Sequence, residues 1–377
     1  MNDLQMPGKA RRKGGGEMEV FDCKTKIVSG EGAVESLKEF GCKKLLVVTD
    51  PFFYENGMAE TVAAAAGAEK TEYFHEVSPD PTVALAARGT AVLQAFAPDV
   101  VVALGGGSTM DCAKAMVYFA GKEVSLVAIP TTSGSGSEVT DFAVLTHEGV
   151  KHPLVDARLR PCMAVLDSKL LQDMPPKLIA DSGFDVLSHA IESYTAIGSG
   201  HFSDTLAAEA FSTAYALLPA SFGGDKTVRL RIHEAATMAG ISFTHSGLGL
   251  CHALAHSLGG AFHIPHGRLN AILLPAVIEC NAFGASDKYA KLAQVAGVGG
   301  SAKTMAVRCL KNALIRLRRE LAMPATLVEA GIRPHEVWGR QEQIVKTAME
   351  DPCCATNPVK VEPFMVRKIL EEVTGRG

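Results

Sequence analysis

The run Asp99–Leu104 (DVVVAL) passes directly into Gly105-Gly106-Gly107-Ser108 and then into Met110–Ala120, a helical stretch with Asp111 in its first turn. An unbroken apolar strand has to be covered on both faces, which restricts it to the interior of a parallel sheet flanked by helices. Lys44–Asp50 (KLLVVTD) and Val124–Pro130 (VSLVAIP) repeat the pattern, the first ending in an acid and the second running into Thr131–Thr140 (TTSGSGSEVT). Ala59–Ala68 and Thr82–Phe96 carry helical character between these strands. Such alternation predicts an α/β domain built on a parallel sheet.

Ligands of open parallel sheets bind at the carboxyl ends of the strands. The Gly105–Ser108 turn offers closely spaced backbone N–H groups at a helix N-terminus, where the helix dipole favours a pyrophosphate. It departs from the GxGxxG pattern and reads equally well as a tight strand-to-helix turn. Asp50 has two readings as well. It can accept hydrogen bonds from ribose hydroxyls, favouring NAD over NADP, or it can cap a helix that begins at Pro51.

The composition changes across Ala164–Ile179, which holds the last strand-like run and then a Pro-Pro pair. Beyond it the chain reads as helix after helix: Ile179–Thr195, Ser203–Leu218, Val228–Phe243, Leu250–Phe262, Leu269–Asn281, Lys288–Ala296, Ser301–Leu321, Val328–Ala330, His335–Met349 and Pro363–Glu372. The expected organisation is a disordered basic and Gly-rich tail over residues 1–18, an α/β dinucleotide-binding domain over 19–177 and an all-α domain over 178–377. The tail clusters Lys9, Arg11, Arg12 and Lys13, but no apolar segment follows that would make it a secretory signal.

Leu250–Gly267 (LCHALAHSLGGAFHIPHG) places four histidines in an apolar setting without a carboxylate or lysine. Each buried imidazole needs polar partners, so a cluster of them points to a metal rather than to core packing. His252 and His256 are four apart on one helix face, and His266 stands in a Pro-His-Gly turn just past the helix. Asp185 and His189 have the same four-residue spacing inside GFDVLSHAIE, among apolar neighbours that argue against an exposed ion pair. One carboxylate with imidazoles suits Fe(II), Zn or Mn ahead of Mg or Ca.

Charge and cysteine content narrow the function classes. A net charge of −4 provides no basic surface for nucleic acid. The nine cysteines are scattered without a CxxC pair, which predicts reduced thiols in a cytoplasmic protein rather than a disulfide framework. No apolar run approaches the length of a membrane span.

GGGSTMDCAK, AIPTTSGSGSEVT, GFDVLSHAIESY and GLGLCHALAHSLGGAFHIPHGRLNAILLP together resemble the signatures of the iron-dependent (group III) alcohol dehydrogenases, in the same order and over nearly the whole chain from about Asp22. The form of the last motif is similar to that of the short 1-propanol or ethanol dehydrogenases of bacterial microcompartments. The resemblance implies a Rossmann-like N-terminal domain and a helical C-terminal domain, together a dehydroquinate synthase-like fold. It assigns Asp185, His189, His252 and His266 as metal ligands, Fe(II) first with Zn as the alternative. His256 becomes the histidine beside the nicotinamide, a proton carrier rather than a ligand, and His263 stays outside as a hydrogen-bonded wall residue. Asp50, Asp80, Gly105, Gly106, Gly107, Ser108, Thr131, Thr132 and Lys151 fall on nucleotide-binding positions. Asp80 stands where many relatives have Asn, and an acid there further disfavours a phosphorylated ribose. Phe142 and Leu248 fall on substrate-pocket positions, and the bulk of Phe142 leans toward short unbranched alcohols or aldehydes.

The implied activity is an NAD(H)-dependent alcohol dehydrogenase or aldehyde reductase, with the metal as Lewis acid on the substrate oxygen. The implied setting is a homodimer or larger assembly in the cytoplasm or a microcompartment lumen, acting on a small alcohol or aldehyde with no nucleic-acid or membrane partner. Rival readings on the same architecture are a diol or polyol dehydrogenase of lactaldehyde or glycerol type and a cyclising lyase like dehydroquinate synthase. A non-enzymatic scaffold with a vestigial site is disfavoured by the complete set of ligands.

Overall fold

The computed structural model describes residues 9–11, 17–148, 150–299 and 302–375. The tail expected over residues 1–18 falls mostly outside this set. Within it, β1 (Lys9–Arg11) and β2 (Glu17–Glu19) pair antiparallel. The rest divides into two compact units, Cys23–Met174 and Pro175–Gly377, the second joined by the segment up to Asp22.

In the first unit, six parallel strands form one sheet: β3 (Lys26–Gly30), β4 (Lys44–Thr49), β5 (Lys70–Phe74), β6 (Val100–Gly105), β7 (Ser125–Pro130) and β10 (Met163–Asp167), in the order β3-β10-β7-β6-β4-β5. A hairpin of β8 (Phe142–His147) and β9 (Val150–Val155) stands apart from it. Helices α1 (Pro51–Glu55), α2 (Met58–Ala66), α3 (Val83–Phe96) and α4 (Gly107–Ala120) complete the unit. Alternation along the central strands sorts their side chains into two cores. Leu45, Val47, Val100 and Val102 pack with Ala59, Val62 and Ala63 of α2, while Leu46, Val48, Val101 and Ala103 pack with Leu93 of α3 and Met110 and Met116 of α4. The strands expected from unbroken apolar runs are therefore the central ones, buried on both sides. Edge strand β5 (KTEYF) has only Phe74 buried, so it reads as a charged loop in sequence. The hairpin was likewise not expected.

After β4 the chain goes outward to β5 and then returns to the other side of β4 as β6. The reversal makes the carboxyl ends of β4 and β6 the switch point of the sheet, the usual place for a ligand.

A buried lysine fixes the loop beside this point. Lys114 of α4 donates from Nζ to Ser137 Oγ (3.0 Å), Thr140 Oγ1 (2.8 Å), Thr140 O (3.0 Å) and Phe142 O (2.9 Å). Asp111, one turn earlier, accepts from Ser137 Oγ (2.9 Å) and Val144 N (3.0 Å). The two tie the segment after β7 onto α4.

The second unit is helical: α5 (Pro176–Thr195), α6 (His201–Phe222), α7 (Arg229–Ser246), α8 (Leu250–Phe262), α9 (His266–Val295), α10 (Lys303–Glu320), α11 (Pro334–Gly339), α12 (Gln341–Glu350) and α13 (Pro363–Thr374). Three expectations change. Residues 328–330 form a turn. The helix expected over His335–Met349 is two, meeting at Arg340. The two helices expected over Leu269–Ala296 are present, meeting at a break at Ala285 (φ −132°, ψ 19°) within α9, but the first begins earlier than expected, at His266. By length and composition α9 could cross a membrane, contrary to the sequence expectation, but 67% of its apolar window is buried inside the protein as a core helix. The Pro-His-Gly turn is corrected as well: Pro265 is the N-cap and His266 the first residue of α9.

Gly267 sets how closely two of these helices approach. A Cβ built there would lie 1.8 Å from the Asp181 carbonyl oxygen of α5 and 3.3 Å from Asp185 Cβ. Only a residue without a side chain lets the start of α9 lie against α5 at this level.

Replacing Lys114 by Met leaves its acceptors and Asp111 buried without their cation, and breaking a buried pair costs about 3–5 kcal/mol. The urea-unfolding midpoint of Lys114→Met is expected to fall accordingly. Burial lowers the Lys114 pKa from its ordinary 10.5 to about 8, against the raising effect of Asp111, Glu138 and Asp141. Between those values the unfolded chain binds more protons than the folded one, so this group's contribution makes stability rise with pH from about 8 to 10.5. That rise should be absent from the stability–pH curve of Lys114→Met and should appear in the difference between wild type and variant.

Candidate metal and dinucleotide sites

Asp185 and His189 project from one face of α5, His252 comes from the first turn of α8 and His266 opens α9. One ligand atom from each lies within 4.8 Å of every other. The side chains of His252, His189 and Asp185 are 1%, 7% and 11% exposed, whereas His266 is 30% exposed, so the cluster is open on the His266 side. His256, one turn beyond His252, stacks on His266 with ring centroids 5.1 Å apart and falls outside the cluster.

Glu192, quoted in the α5 motif without a role, organises the cluster from behind. Its Oε2 accepts from His252 Nδ1 at 2.6 Å. Its two oxygens also accept from Cys251 N (2.7 Å), Gly249 N (3.0 Å) and His252 N (3.2 Å) at the start of α8. With Nδ1 donating to a carboxylate, His252 turns Nε2 toward the cluster, the arrangement that orients imidazole ligands. Asn270 of α9 supports the other side, donating from Nδ2 to Asp185 Oδ1 at 2.9 Å. One turn before Asp185, Asp181 accepts from the Arg268 guanidinium, Nε at 3.1 Å and NH2 at 2.5 Å, which ties α5 to α9 again.

Electrostatics fit a cation. Burial pushes Asp185 above its ordinary range against the pull of His189, Asn270 and His256. Burial also takes Glu192 up to about 7 despite three backbone donors. The His252 imidazole is held well below its usual value, first by burial and then by His189 and His256, and so is neutral as a ligand must be. Two carboxylates driven toward protonation beside the neutral His252 imidazole are in the situation a divalent ion relieves. A donor set of three nitrogens and one oxygen suits iron or zinc.

Outside the cluster, His256 donates from Nδ1 to Asp351 Oδ2 at 2.8 Å. Burial raises the Asp351 pKa, but the hydrogen bond and charge of His256 and the contacts from Cys353 outweigh it and hold the carboxyl at about 2. Asp351 lies almost one hundred residues from His256 in sequence, and no local spacing signals it. Glu192 could have been found, because it is seven residues from Asp185 and on the same helix face. His263 is exposed, in the left-handed conformation (φ 54°) that ends α8, and not a wall of the site.

In the first unit, Asp50, the Gly105–Ser108 turn and Thr131–Thr132 lie at the carboxyl ends of β4, β6 and β7. Asp50 caps α1 through Oδ1, accepting from Phe53 N at 3.1 Å, while standing at the carboxyl end of β4. Gly106 precedes α4, and Gly105, Gly107 and Ser108 flank it. A Cβ at Gly105 would lie 2.4 Å from Thr109 Oγ1, one at Gly107 3.1 Å from Ser135 Cβ and one at Gly106 3.3 Å from Thr132 Oγ1. The glycines thus form a cradle with Thr131 and Thr132, one that side chains would fill. Thr131 Oγ1 is buried without a hydrogen-bond partner among the described residues, an acceptor and donor ready for a ligand. Lys151 of β9 pairs with Asp80 at 2.7 Å, so that acid meets the cofactor region already partly neutralised. Asp80 is itself left-handed (φ 55°), a conformation that Asn and Asp tolerate better than most residues. Phe142 begins β8 and its carbonyl holds Lys114, whereas Leu248 belongs to the helical unit, where its carbonyl accepts from Thr356 Oγ1 at 2.7 Å.

Glu192→Gln removes the charge that orients His252, and changes of this kind cost about 10–100-fold in metal affinity. Gly267→Ala should separate α9 from α5 and lower metal retention further. Both outcomes are read as metal content after dialysis against a weak chelator, with wild-type far-ultraviolet circular dichroism as the check that folding is retained.

Comparison with known proteins agrees with the geometry. Residues 24–168 match the sequence family of iron-containing alcohol dehydrogenases, and residues 179–374 match its C-terminal part. The chain is 37% identical to the 1-propanol dehydrogenase PduQ of Salmonella typhimurium, over 94% of this chain and 100% of the relative. It is 36% identical to an NADPH-dependent butanol dehydrogenase of Clostridium saccharobutylicum, over 92% and 95%. Among solved structures, the iron-containing alcohol dehydrogenase of Thermococcus thioreducens superposes with a TM-score of 0.87 at 32% identity, covering 94% of this chain and 99% of that one. A sulfoacetaldehyde reductase of Bifidobacterium kashiwanohense in complex with NAD+ gives a TM-score of 0.87 at 25% identity, covering 96% and 100%. The chain belongs to the iron-containing alcohol dehydrogenase family.

Proposed function

We propose that this enzyme interconverts short-chain primary alcohols and aldehydes, 1-propanol and propanal or ethanol and acetaldehyde, using NAD(H) and one divalent metal. The observation that carries the reading is the convergence of Asp185, His189, His252 and His266 with His252 oriented by Glu192. Held by those four residues, Fe(II) or else Zn supplies Lewis acidity at the substrate oxygen. The nicotinamide ring supplies hydride transfer.

The chain's own residues then do the positioning and the proton handling. The Gly105–Ser108 turn and the α4 N-terminus hold the pyrophosphate, and Thr131 and Thr132 complete the cradle. Asp50 holds the ribose hydroxyls and repels a 2′-phosphate. His256, with Nδ1 committed to Asp351, has Nε2 left to take the proton of the substrate hydroxyl and to return it in the reductive direction. Asp351 is a positioning residue that stabilises the imidazolium when it forms. The reading assigns Phe142 of the first unit and Leu248 of the helical unit to substrate selection, on the resemblance alone, and the apolar ring of Phe142 favours a monohydric alcohol over a diol. A dimer or larger assembly working in the cytoplasm, with a microcompartment lumen as the specific address, completes the proposal and rests on the form of the histidine motif.

Anaerobic purification followed by metal analysis and an NADH-absorbance assay with propanal and acetaldehyde tests the reading. His266→Ala should lose both metal and turnover, whereas His256→Ala should keep the metal and lose about 10²–10⁴-fold in rate. Full turnover after the metal has been stripped would remove the Lewis-acid role. Asp50→Gly should raise NADPH use relative to NADH, and an unchanged ratio would take the ribose role away from Asp50.

A further inference from the structure

Next to the metal cluster, on its open side, stands a second group of metal-ligating side chains with different chemistry. One ligand atom each from His256, Asp351 and Cys353 lies within 4.8 Å of the others. All three are partly accessible, His256 with 32% and Asp351 with 14% of the side chain exposed. The group is held in place before any ion arrives. Asp351 Oδ1 accepts from Cys353 N at 2.9 Å, and Oδ2 accepts from His256 Nδ1 at 2.8 Å. Cys354, the adjacent thiol, donates to Ala348 O at 3.0 Å and belongs to neither cluster.

We propose that His256, Asp351 and Cys353 form a second divalent-metal site, selective for thiophilic ions of the zinc class. A sulfur, a nitrogen and a carboxylate oxygen make a set that zinc and cobalt favour and that magnesium or calcium does not. Metal–ligand bonds of about 2.0–2.3 Å put the ligands of a tetrahedral ion about 3.3–3.8 Å apart, so closure requires the side chains to draw in by about 1 Å. Water or another small ligand supplies the fourth position. Coordination takes the proton from the Cys353 thiol and requires the imidazole to present Nδ1 without its hydrogen, so binding strengthens as pH rises. The first cluster contains no sulfur, and the two sites therefore differ in spectroscopy as well as in selectivity. Occupancy of the second would break the His256–Asp351 hydrogen bond and withdraw His256 from proton transfer, making excess zinc an inhibitor that a chelator relieves. That last consequence rests on the function proposed above, whereas the site itself does not.

The test uses the full-length reduced protein under anaerobic conditions, with one equivalent of Fe(II) loaded and Co(II) then titrated as the probe. The expected result is one further equivalent of cobalt accompanied by a near-ultraviolet thiolate-to-cobalt charge-transfer band, which Zn(II) erases by displacement. The band should disappear in Cys353→Ser, persist in Cys354→Ser and require about tenfold or more cobalt in Asp351→Asn. Absence of the band from the wild-type protein at saturating cobalt overturns the proposal without any variant having to fold. Its persistence in a Cys353→Ser protein with wild-type circular dichroism overturns it equally. None of these readings depends on turnover, so failure of the site and failure of the proposed activity are separable.

Discussion

The helical unit depends on one buried carboxylate. Glu192 receives three backbone amides at the start of α8 and the Nδ1 hydrogen of His252, and its own pKa is raised to about 7 by the burial this requires. A helix N-terminus is a natural seat for such a group because its first amides have no partner within the helix. The same contact performs two tasks. It joins α5 to a segment nearly sixty residues later, and it selects the ring nitrogen that His252 turns toward the cluster. Asp185 and His189 share α5 with Glu192, so the docking of one helix end aligns carboxylate and imidazoles together.

The first unit solves an analogous problem with the opposite charge. Lys114 is buried and held by four acceptors on the segment after β7, with Asp111 bridging to Ser137 and Val144. Of the glycines in the β6–α4 turn, Gly105 lies so close to Thr109 that no side chain fits, and Gly106 and Gly107 lie tightly against Thr132 and Ser135. Rigid polar ties behind the loop, and bare backbone in front, leave a surface of amide and hydroxyl groups suited to the dinucleotide proposed above.

Sequence made the interior legible and the periphery much less so. Central strands β4, β6, β7 and β10 announce themselves as apolar runs because both of their faces are buried, whereas β5 (KTEYF) is mostly polar and exposed and β9 (VKHPLV) carries Lys, His and Pro, so neither stands out as a strand. Four of the site side chains could be nominated from spacing on helices, since i,i+4 pairs fall on one face whatever the fold. The division of labour among the histidines was not fixed by spacing: His252 and His256 have the same local relation, and resemblance was needed to separate ligand from proton carrier. Asp351 and Cys353 lay beyond reach, because their approach to His256 is a tertiary fact set by how α12 packs on α8. The start of α9 at His266 is hard to read from sequence because Pro-His-Gly looks like a turn, whereas Pro265 is the N-cap from which the helix begins.

The close approach at Gly267 has a consequence for how the helical unit holds together. Asp185 and His189 come from α5, far in the chain from His252 of α8 and His266 of α9, and an ion bound to all four would act as a clasp on the three helices. Bringing distant segments together carries a loop-closure cost that the folded protein has already met, so the ion binds the native arrangement and not the unfolded chain. Anything that binds only the native state also raises its stability by mass action. Metal supply would then govern how long the folded enzyme lasts in addition to how fast it works.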